Sequence, residues 1–239
     1  MKKVFIDAGH GGKDPGAVAN GLQEKDIVLA VSLGVKRQLE SQYDGVQVLF
    51  SRSTDIYLTL KERTDKANKA GADVLVSIHC NAGGGAGGFE TFRYTNASSK
   101  STSFQNVLHA EIMAALKPLG VSDRGKKSKN LHMVRESKMP AVLTENLFID
   151  VAADAVRLKR TEFIDAIIAG HVIGIAKYLG LKRKERAAEA DDKNAAQAQP
   201  WKEKGREWLI KNAGISPDWK ATDPVDVGTL GTILGRLIK

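Results

Sequence analysis

An α/β fold, a twisted and largely parallel sheet sandwiched by helices with a small helical module at the C-terminus, is what this sequence predicts. Three observations carry the expectation. Over residues 1–181 short apolar runs alternate with stretches of helical period. Two of those runs end in glycines, as strands do where they open into loops at one edge of a sheet. After Gly180 the chain becomes charged and alanine-rich, and all three tryptophans fall in the segment that follows.

Residues 3–7 are a short apolar run entering the glycines at 9, 11 and 12, and read as the first strand. Ile27, Val31, Val35 and Leu39 recur every four residues with charges between them, which predicts a helix over 24–41. Residues 46–51 read as a second strand, 58–69 as a helix, and 73–79 as a buried strand. Residues 89–94 alternate like an edge strand. A helix over 104–116 is stopped by Pro118 and Gly120, residues 141–145 form another short strand, and 154–179 is helical in one or two pieces. Residues 182–199 hold scarcely any large apolar side chain and serve as a spacer or linker. Apolar signal returns over 200–239, with Trp201, Trp208 and Trp219 and then Leu230, Ile233, Leu234 and Leu237. So small a module barely sustains a core of its own, and is expected to dock or self-associate, a homodimer being one outcome.

With 239 residues, 42% apolar and 27% charged, the chain can bury a sizeable core, and collagen-like, wholly disordered and disulfide-scaffold classes are excluded. Cys80 is the single cysteine, so no internal disulfide staples the fold. No window approaches the ~18 consecutive apolar residues of a membrane span. Met1-Lys2-Lys3 resembles the start of a signal peptide, but Val4-Phe5-Ile6 is far shorter than an apolar region of roughly 7–15 residues. Synthesis in the cytoplasm without Sec export is the expectation. The net charge of +8 favours anionic partners. Residues 182–239 hold 12 basic and 9 acidic side chains, leaving 24 and 19 for residues 1–181, and neither part carries a dense basic block. Nucleic acid is therefore not the expected partner.

In an open α/β sheet, ligands gather at the carboxyl ends of the strands. Those ends carry His10 after the first strand, His79 at the end of the third and Glu145 at the end of a later one. A dinucleotide fingerprint starting at Gly9 would need glycine where Asp14 stands, and no phosphate-binding Gly-Lys-Ser/Thr occurs. Glycines around His10 instead allow close backbone approach about an ion, although a turn histidine without a ligand is the commoner case. Glu24, alone, reads as a first-turn carboxylate complementing a helix dipole. Beside His10 and His79 it completes a His-Glu-His set that suits zinc in a hydrolase and leaves a fourth position for water, though cobalt or manganese fits too. Cys80 follows His79 on a strand and so points to the opposite face, as an inert packed thiol. His109, His132 and His171 lie in or beside helical stretches and are assigned to solvent or packing. Glu145 can accept a proton from water and donate one to a leaving amine.

A series of motifs runs in order along the first domain: Ile6-Asp7-Ala8-Gly9-His10-Gly11-Gly12 with Asp14-Pro15-Gly16-Ala17, then Glu24, Ser51-Arg52-Ser53 and Leu60-Lys61-Glu62-Arg63. Ala67-Asn68, Ala72-Asp73, Val76-Ser77-Ile78-His79-Cys80-Asn81-Ala82 and Pro140-Ala141-Val142-Leu143-Thr144-Glu145 complete it. Together they resemble the amidase-3 family of zinc-dependent N-acetylmuramoyl-L-alanine amidases. The resemblance implies one zinc ion on His10, Glu24 and His79, Glu145 as acid/base, and peptidoglycan as substrate. The bond cut would be the amide joining the muramic acid lactyl group to L-alanine. The family commonly has glycine and asparagine two and six residues after this glutamate, where Leu147 and Val151 stand, with Asn146 and Asp150 as polar stand-ins. Residues 83–88 leave no room for the long inhibitory insert of some septal amidases, so an open site is implied. Glu207 to Ile215, Asp223-Pro224 and Gly228 to Leu237 resemble one S-layer-homology repeat, which implies binding to anionic wall polysaccharide; a C-terminal packing element is the alternative.

These readings converge on an endolysin or autolysin type of wall hydrolase, reaching its substrate through a holin or on lysis of the producing cell. Two rivals stand beside it: a zinc peptidase cutting within the stem peptide, and a non-catalytic wall-binding protein.

Overall fold

The computed structural model describes residues 1–184. Its elements run β1 (Lys2–Ala8), β2 (Val18–Ala19), β3 (Leu22–Gln23), α1 (Glu24–Gln42), β4 (Val46–Phe50), α2 (Leu60–Ala70) and β5 (Val74–Asn81). There follow β6 (Phe89–Arg93), α3 (Ser99–Leu116), a 3₁₀ turn (Lys117–Leu119), β7 (Asp123–Ser128), α4 (His132–Arg135), β8 (Ala141–Phe148), α5 (Ala152–Leu158) and α6 (Thr161–Leu179). The expected module at 200–239, and the linker from residue 185 onward, lie outside the described residues.

Six strands pair in the order β4-β1-β5-β8-β6-β7. β4, β1, β5 and β8 are mutually parallel, β6 runs antiparallel to β8, and β7 is parallel to β6. The fold is the expected helix-covered, mostly parallel sheet. Because alternate residues of a strand face opposite ways, Val4, Ile6, Val76, Ile78 and Cys80 pack under α1, α3 and α6. Phe5, Leu75 and Leu143 face the other way, against Ala67 of α2 and Met133 and Val134 of α4. Cys80 is buried in the first of these layers, as expected.

Helix boundaries follow local chemistry. Thr59 caps α2 reciprocally with Glu62, its hydroxyl accepting from the Glu62 N–H at 3.3 Å and its own N–H donating to Glu62 Oε2 at 2.7 Å. α3 is capped by Ser98 and starts at Ser99, five residues before the apolar run that predicts it, and the helical stretch expected over 154–179 divides into α5 and α6.

One expectation is corrected. β6, read as an edge strand, lies inside the sheet between β8 and β7. The edge on that side is β7, Asp-Arg-Gly-Lys-Lys-Ser, which has no apolar alternation, so its strand state comes from backbone pairing with β6 rather than from burial. Strand periodicity cannot register such a segment. β8 also runs three residues past Glu145, to Phe148.

Candidate metal centre

The four residues singled out from the sequence meet at the carboxyl edge of the sheet. His79 on β5 and Glu145 on β8 are register partners, so both side chains leave the same face. His10 follows β1 in a left-handed backbone conformation, φ 58°. Glu24 opens α1, whose N-cap residue, Gln23, makes no side-chain capping bond. The Glu24 carboxylate turns instead toward the two histidines, its Oε1 2.9 Å from His79 Nδ1 and its Oε2 3.2 Å from His10 Nε2. One ligand atom from each of His10, Glu24 and His79 lies within 4.8 Å of the others. The imidazole rings stand edge to face, 5.0 Å apart.

Polar contacts hold each group. His10 Nδ1 lies 2.9 Å from Asp14 Oδ2; a carboxylate there accepts a hydrogen bond from Nδ1–H and leaves the Nε2 lone pair facing the centre. Glu24 accepts from the N–H groups of Ala17 at 2.9 Å and Cys80 at 3.0 Å. Two buried arginines clamp the loop that carries His10. Arg52 donates to the carbonyls of Ala8, Gly9, Lys25 and Thr54. Arg63 donates to those of Leu58, Ala8 and His10 and to Asp7 Oδ1. Asp7 is completed by the Ser77 hydroxyl at 2.7 Å. A cavity of ≈ 100 Å³ opens over His10 and His79, with Tyr57, Leu58 and Leu60 in its wall.

Electrostatics match a cation site. Burial raises the Glu24 carboxyl, yet the two imidazoles outweigh it and hold Glu24 well below the usual carboxylate range. Burial pulls His79 down, but Glu24, Glu145 and Asp7 together bring it up to about 9. A carboxylate between two such imidazoles demands a positive charge, which a divalent ion supplies with neutral imidazoles as ligands. The local backbone is shaped for the same purpose: a Cβ on Gly16 (φ 65°) would sit 2.6 Å from Glu24 Oε2 and 2.7 Å from His10 Cδ2. The residues present therefore fit a bound metal ion.

Glu145 stands apart from this triad. Its Oε2 is buried without a hydrogen-bond partner among the described residues. Burial pushes its carboxyl up to about 7, with Glu24 and Glu90 adding and His79 and His10 opposing. That places it where a group can both accept and donate a proton near neutral pH.

The residues singled out from the sequence do cluster here, but the groups that support them were not singled out. Asp7, Asp14, Arg52 and Arg63 all stand in the quoted motifs, but nothing in their spacing reveals which carbonyl or ring they hold. Of the two stand-ins proposed after Glu145, one is buried and the other exposed. Asn146 is buried and donates to the His79 carbonyl at 2.9 Å, while Asp150 accepts from the N–H groups of Gly83 and Gly84, each at 2.8 Å. His109 and His171 are buried packing residues, bonded to Thr91 and Asp123 and to Thr144 and Ile167 respectively.

Comparison with known proteins gives a consistent result. The sequence model of the N-acetylmuramoyl-L-alanine amidase family amidase-3 matches residues 4–177. A sporulation-specific N-acetylmuramoyl-L-alanine amidase of Bacillus subtilis (strain 168) is 46% identical over 183 residues, 77% of this chain and 70% of that protein. An endolysin of Bacillus phage SPP1 is 50% identical over 185 residues, 77% of this chain and 68% of its own length. In three dimensions, the catalytic domain of CwlV, an N-acetylmuramoyl-L-alanine amidase from Bacillus (Paenibacillus) polymyxa var. colistinus, superposes with a TM-score of 0.71 at 38% identity. That match covers 76% of this chain and the whole of that domain. By sequence and by fold alike, this chain belongs to the N-acetylmuramoyl-L-alanine amidase family.

Proposed function

We propose that this protein is a zinc-dependent amidase that hydrolyses the bond between N-acetylmuramic acid and L-alanine in peptidoglycan, acting as an endolysin or autolysin. His10, Glu24 and His79 hold the ion, and Glu145 is the catalytic acid/base. When bound, zinc supplies Lewis acidity for the amide carbonyl and for water. The observation that carries the reading is the pairing of a His-Glu-His cluster able to hold an ion with a separate, buried carboxylate oxygen, on the register partner of His79, that has no hydrogen-bond partner among the described residues. Glu145 takes the proton of the attacking water and delivers a proton to the departing L-alanine amine, so both halves of the proton traffic pass through one carboxyl. Asp14 orients His10, and Arg52 and Arg63 fix the His10 loop, so the ligands need little rearrangement.

Residues 200–239 are proposed as a wall-targeting module that contacts anionic polysaccharide, joined by the linker at 182–199.

Metal analysis and product mass spectrometry on the purified full chain test the reading. Digested wall should yield a free lactyl end and a new L-alanine amine. Cleavage inside the stem would make the protein a peptidase, and no cleavage a binding protein. Glu145→Gln should keep its zinc and lose about 10²–10⁴ in rate, because the proton acceptor goes while the ligands stay. Loss of zinc in that variant would make Glu145 a ligand and overturn the division of roles.

A further inference from the structure

Beside the metal centre lies a cationic pair that the proposed reaction does not yet use. His79, Glu145 and Glu90 form one row across β5, β8 and β6, since each is the register partner of the next and partners share a face. Glu90 is buried. It accepts from Asn81 Nδ2 at 2.7 Å, Arg124 Nε at 3.0 Å and Lys127 Nζ at 2.5 Å. Both cations come from β7, and both remain partly open to solvent, with side chains 31% and 40% exposed.

Their convergence takes a break in the strand. Residues three apart on a regular strand point to opposite faces, so Arg124 and Lys127 would not both reach Glu90. Between Phe89↔Asp123 and Thr91↔Lys126 the register slips by one residue. The slip includes Gly125 at φ 87°, whose N–H donates to Asp123 Oδ1 at 2.7 Å. Bulges are rare in parallel pairs and gather beside active sites, where they re-aim a side chain. Here one brings two cations onto the face that carries His79 and Glu145.

Arg124 is also held in place beyond its ion pair. Its guanidinium lies over the Phe148 ring, 4.5 Å from the centroid, and Nη1 donates to the Gly87 carbonyl. A guanidinium has five N–H donors in a fixed fork. Two of Arg124's are used among the described residues, which leaves donors suited to a second carboxylate. Lysines and arginines on an edge strand also discourage edge-to-edge pairing, but these two fold back over β6 rather than project from the edge.

We propose that Arg124 and Lys127 form the subsite for a carboxylate of the peptidoglycan stem peptide, an inference that rests on the amidase reading above. Stem peptides are acidic beyond their L-alanine. Neighbouring strands lie about 5 Å apart, so β7 is about 10 Å from the Glu145 strand. An extended peptide advances about 3.3–3.6 Å per residue, so a carboxylate two or three residues beyond the cut amide meets the pair while the glycan lies on the other side of the centre. Glu90, buried and held by Asn81, is the positioning residue that keeps both cations in place.

The test compares two probes on the zinc-loaded full chain: a muramoyl tripeptide with free stem carboxylates, and the same compound with those carboxylates amidated. The wild type should prefer the free acid. Arg124→Gln should lower kcat/KM on the free acid about ten- to a hundredfold, mainly through KM, and far less on the amidated probe, so that the preference collapses. Lys127→Met, at a more exposed position, should act in the same direction with less risk to folding, and Arg124→Lys should restore only part of the preference because the fork is lost. Equal cleavage of both probes by the wild type, or equal losses on both in the variants, overturns the subsite and leaves the amidase reading standing. Failure of the wild type to release peptide from either probe overturns both.

Discussion

A Cβ built on Gly9 would lie 2.3 Å from His79 Cε1 and 2.7 Å from both ring nitrogens. Even one methyl group therefore has no room unless the imidazole moves, and the imidazole is a proposed ligand. Gly9→Ala should leave the fold nearly as stable as wild type, since the site lies at the sheet's edge, but should lower zinc content and activity together. Metal analysis beside thermal melting checks this; full zinc occupancy in the variant would mean that His79 has room to shift without leaving the ion. His10, His79 and Glu145 were legible at this scale because titratable groups at the ends of apolar strands are out of place in a core. Glu24 was legible only through its company, since a first-turn glutamate has an ordinary explanation in the helix dipole.

The strand that leads into the His10 loop is tied to α2 by a buried ion pair. Asp7 on β1 and Arg63 on α2 are 1% and 3% exposed and 2.9 Å apart. Burial raises the Asp7 carboxyl, but Arg63, His79 and the Ser77 hydroxyl outweigh it and hold Asp7 below its usual range. Removing one partner of such a pair strands the other charge. Asp7→Ala should therefore cost about 3–5 kcal/mol of stability, read by urea unfolding. A cost under about 1 kcal/mol would mean that the carbonyls of Leu58, Ala8 and His10 satisfy Arg63 unaided. β7 is the opposite case at this scale: nothing in its sequence signals a strand, because its fixed points are backbone bonds to β6 and cations drawn to Glu90.

For the molecule as a whole, acid stability depends on a residue far from the chemistry in sequence. His171 is fully buried on α6. Its Nδ1–H donates to the Ile167 carbonyl at 2.8 Å, and its Nε2 accepts from the Thr144 hydroxyl at 3.1 Å. Burial brings it from 6.5 down to about 4, with the bond to Ile167 opposing. The unfolded chain thus takes up a proton that the folded chain refuses between those values. The stability tied to this group is intact above pH 6.5 and falls as pH drops to 4, by about 3 kcal/mol, with no further loss below. Denaturant unfolding of His171→Gln across that range should show the gap to wild type narrowing as pH falls; a constant gap would sink the assignment. Among the described residues no helix is long and apolar enough to cross a membrane, and residues 1–183 form a compact unit. Truncation after Lys184 keeps the bond from the Asp44 N–H to the Lys182 carbonyl and should leave a folded, zinc-binding enzyme. Its pelleting with intact walls should weaken far more than its cleavage of small soluble muropeptides. Undiminished pelleting would show that the tail is not a targeting module.

The alternation of apolar runs, the glycines after β1 and β5 and the place of His10, His79 and Glu145 were set by the sequence alone. Burial and backbone freedom act on each residue type locally, and so leave a periodic trace. The order of the strands, the interior place of β6, the supporting roles of Asp7, Asp14, Arg52 and Arg63, and the bulge that turns Arg124 and Lys127 toward Glu90 were decided only in three dimensions. Each depends on a partner distant in the chain: Arg63 reaches Asp7 across 56 residues, and Arg124 reaches Glu90 across 34. A charged side chain carries no mark of which distant carboxylate or carbonyl will neutralise it until the sheet has brought the two together.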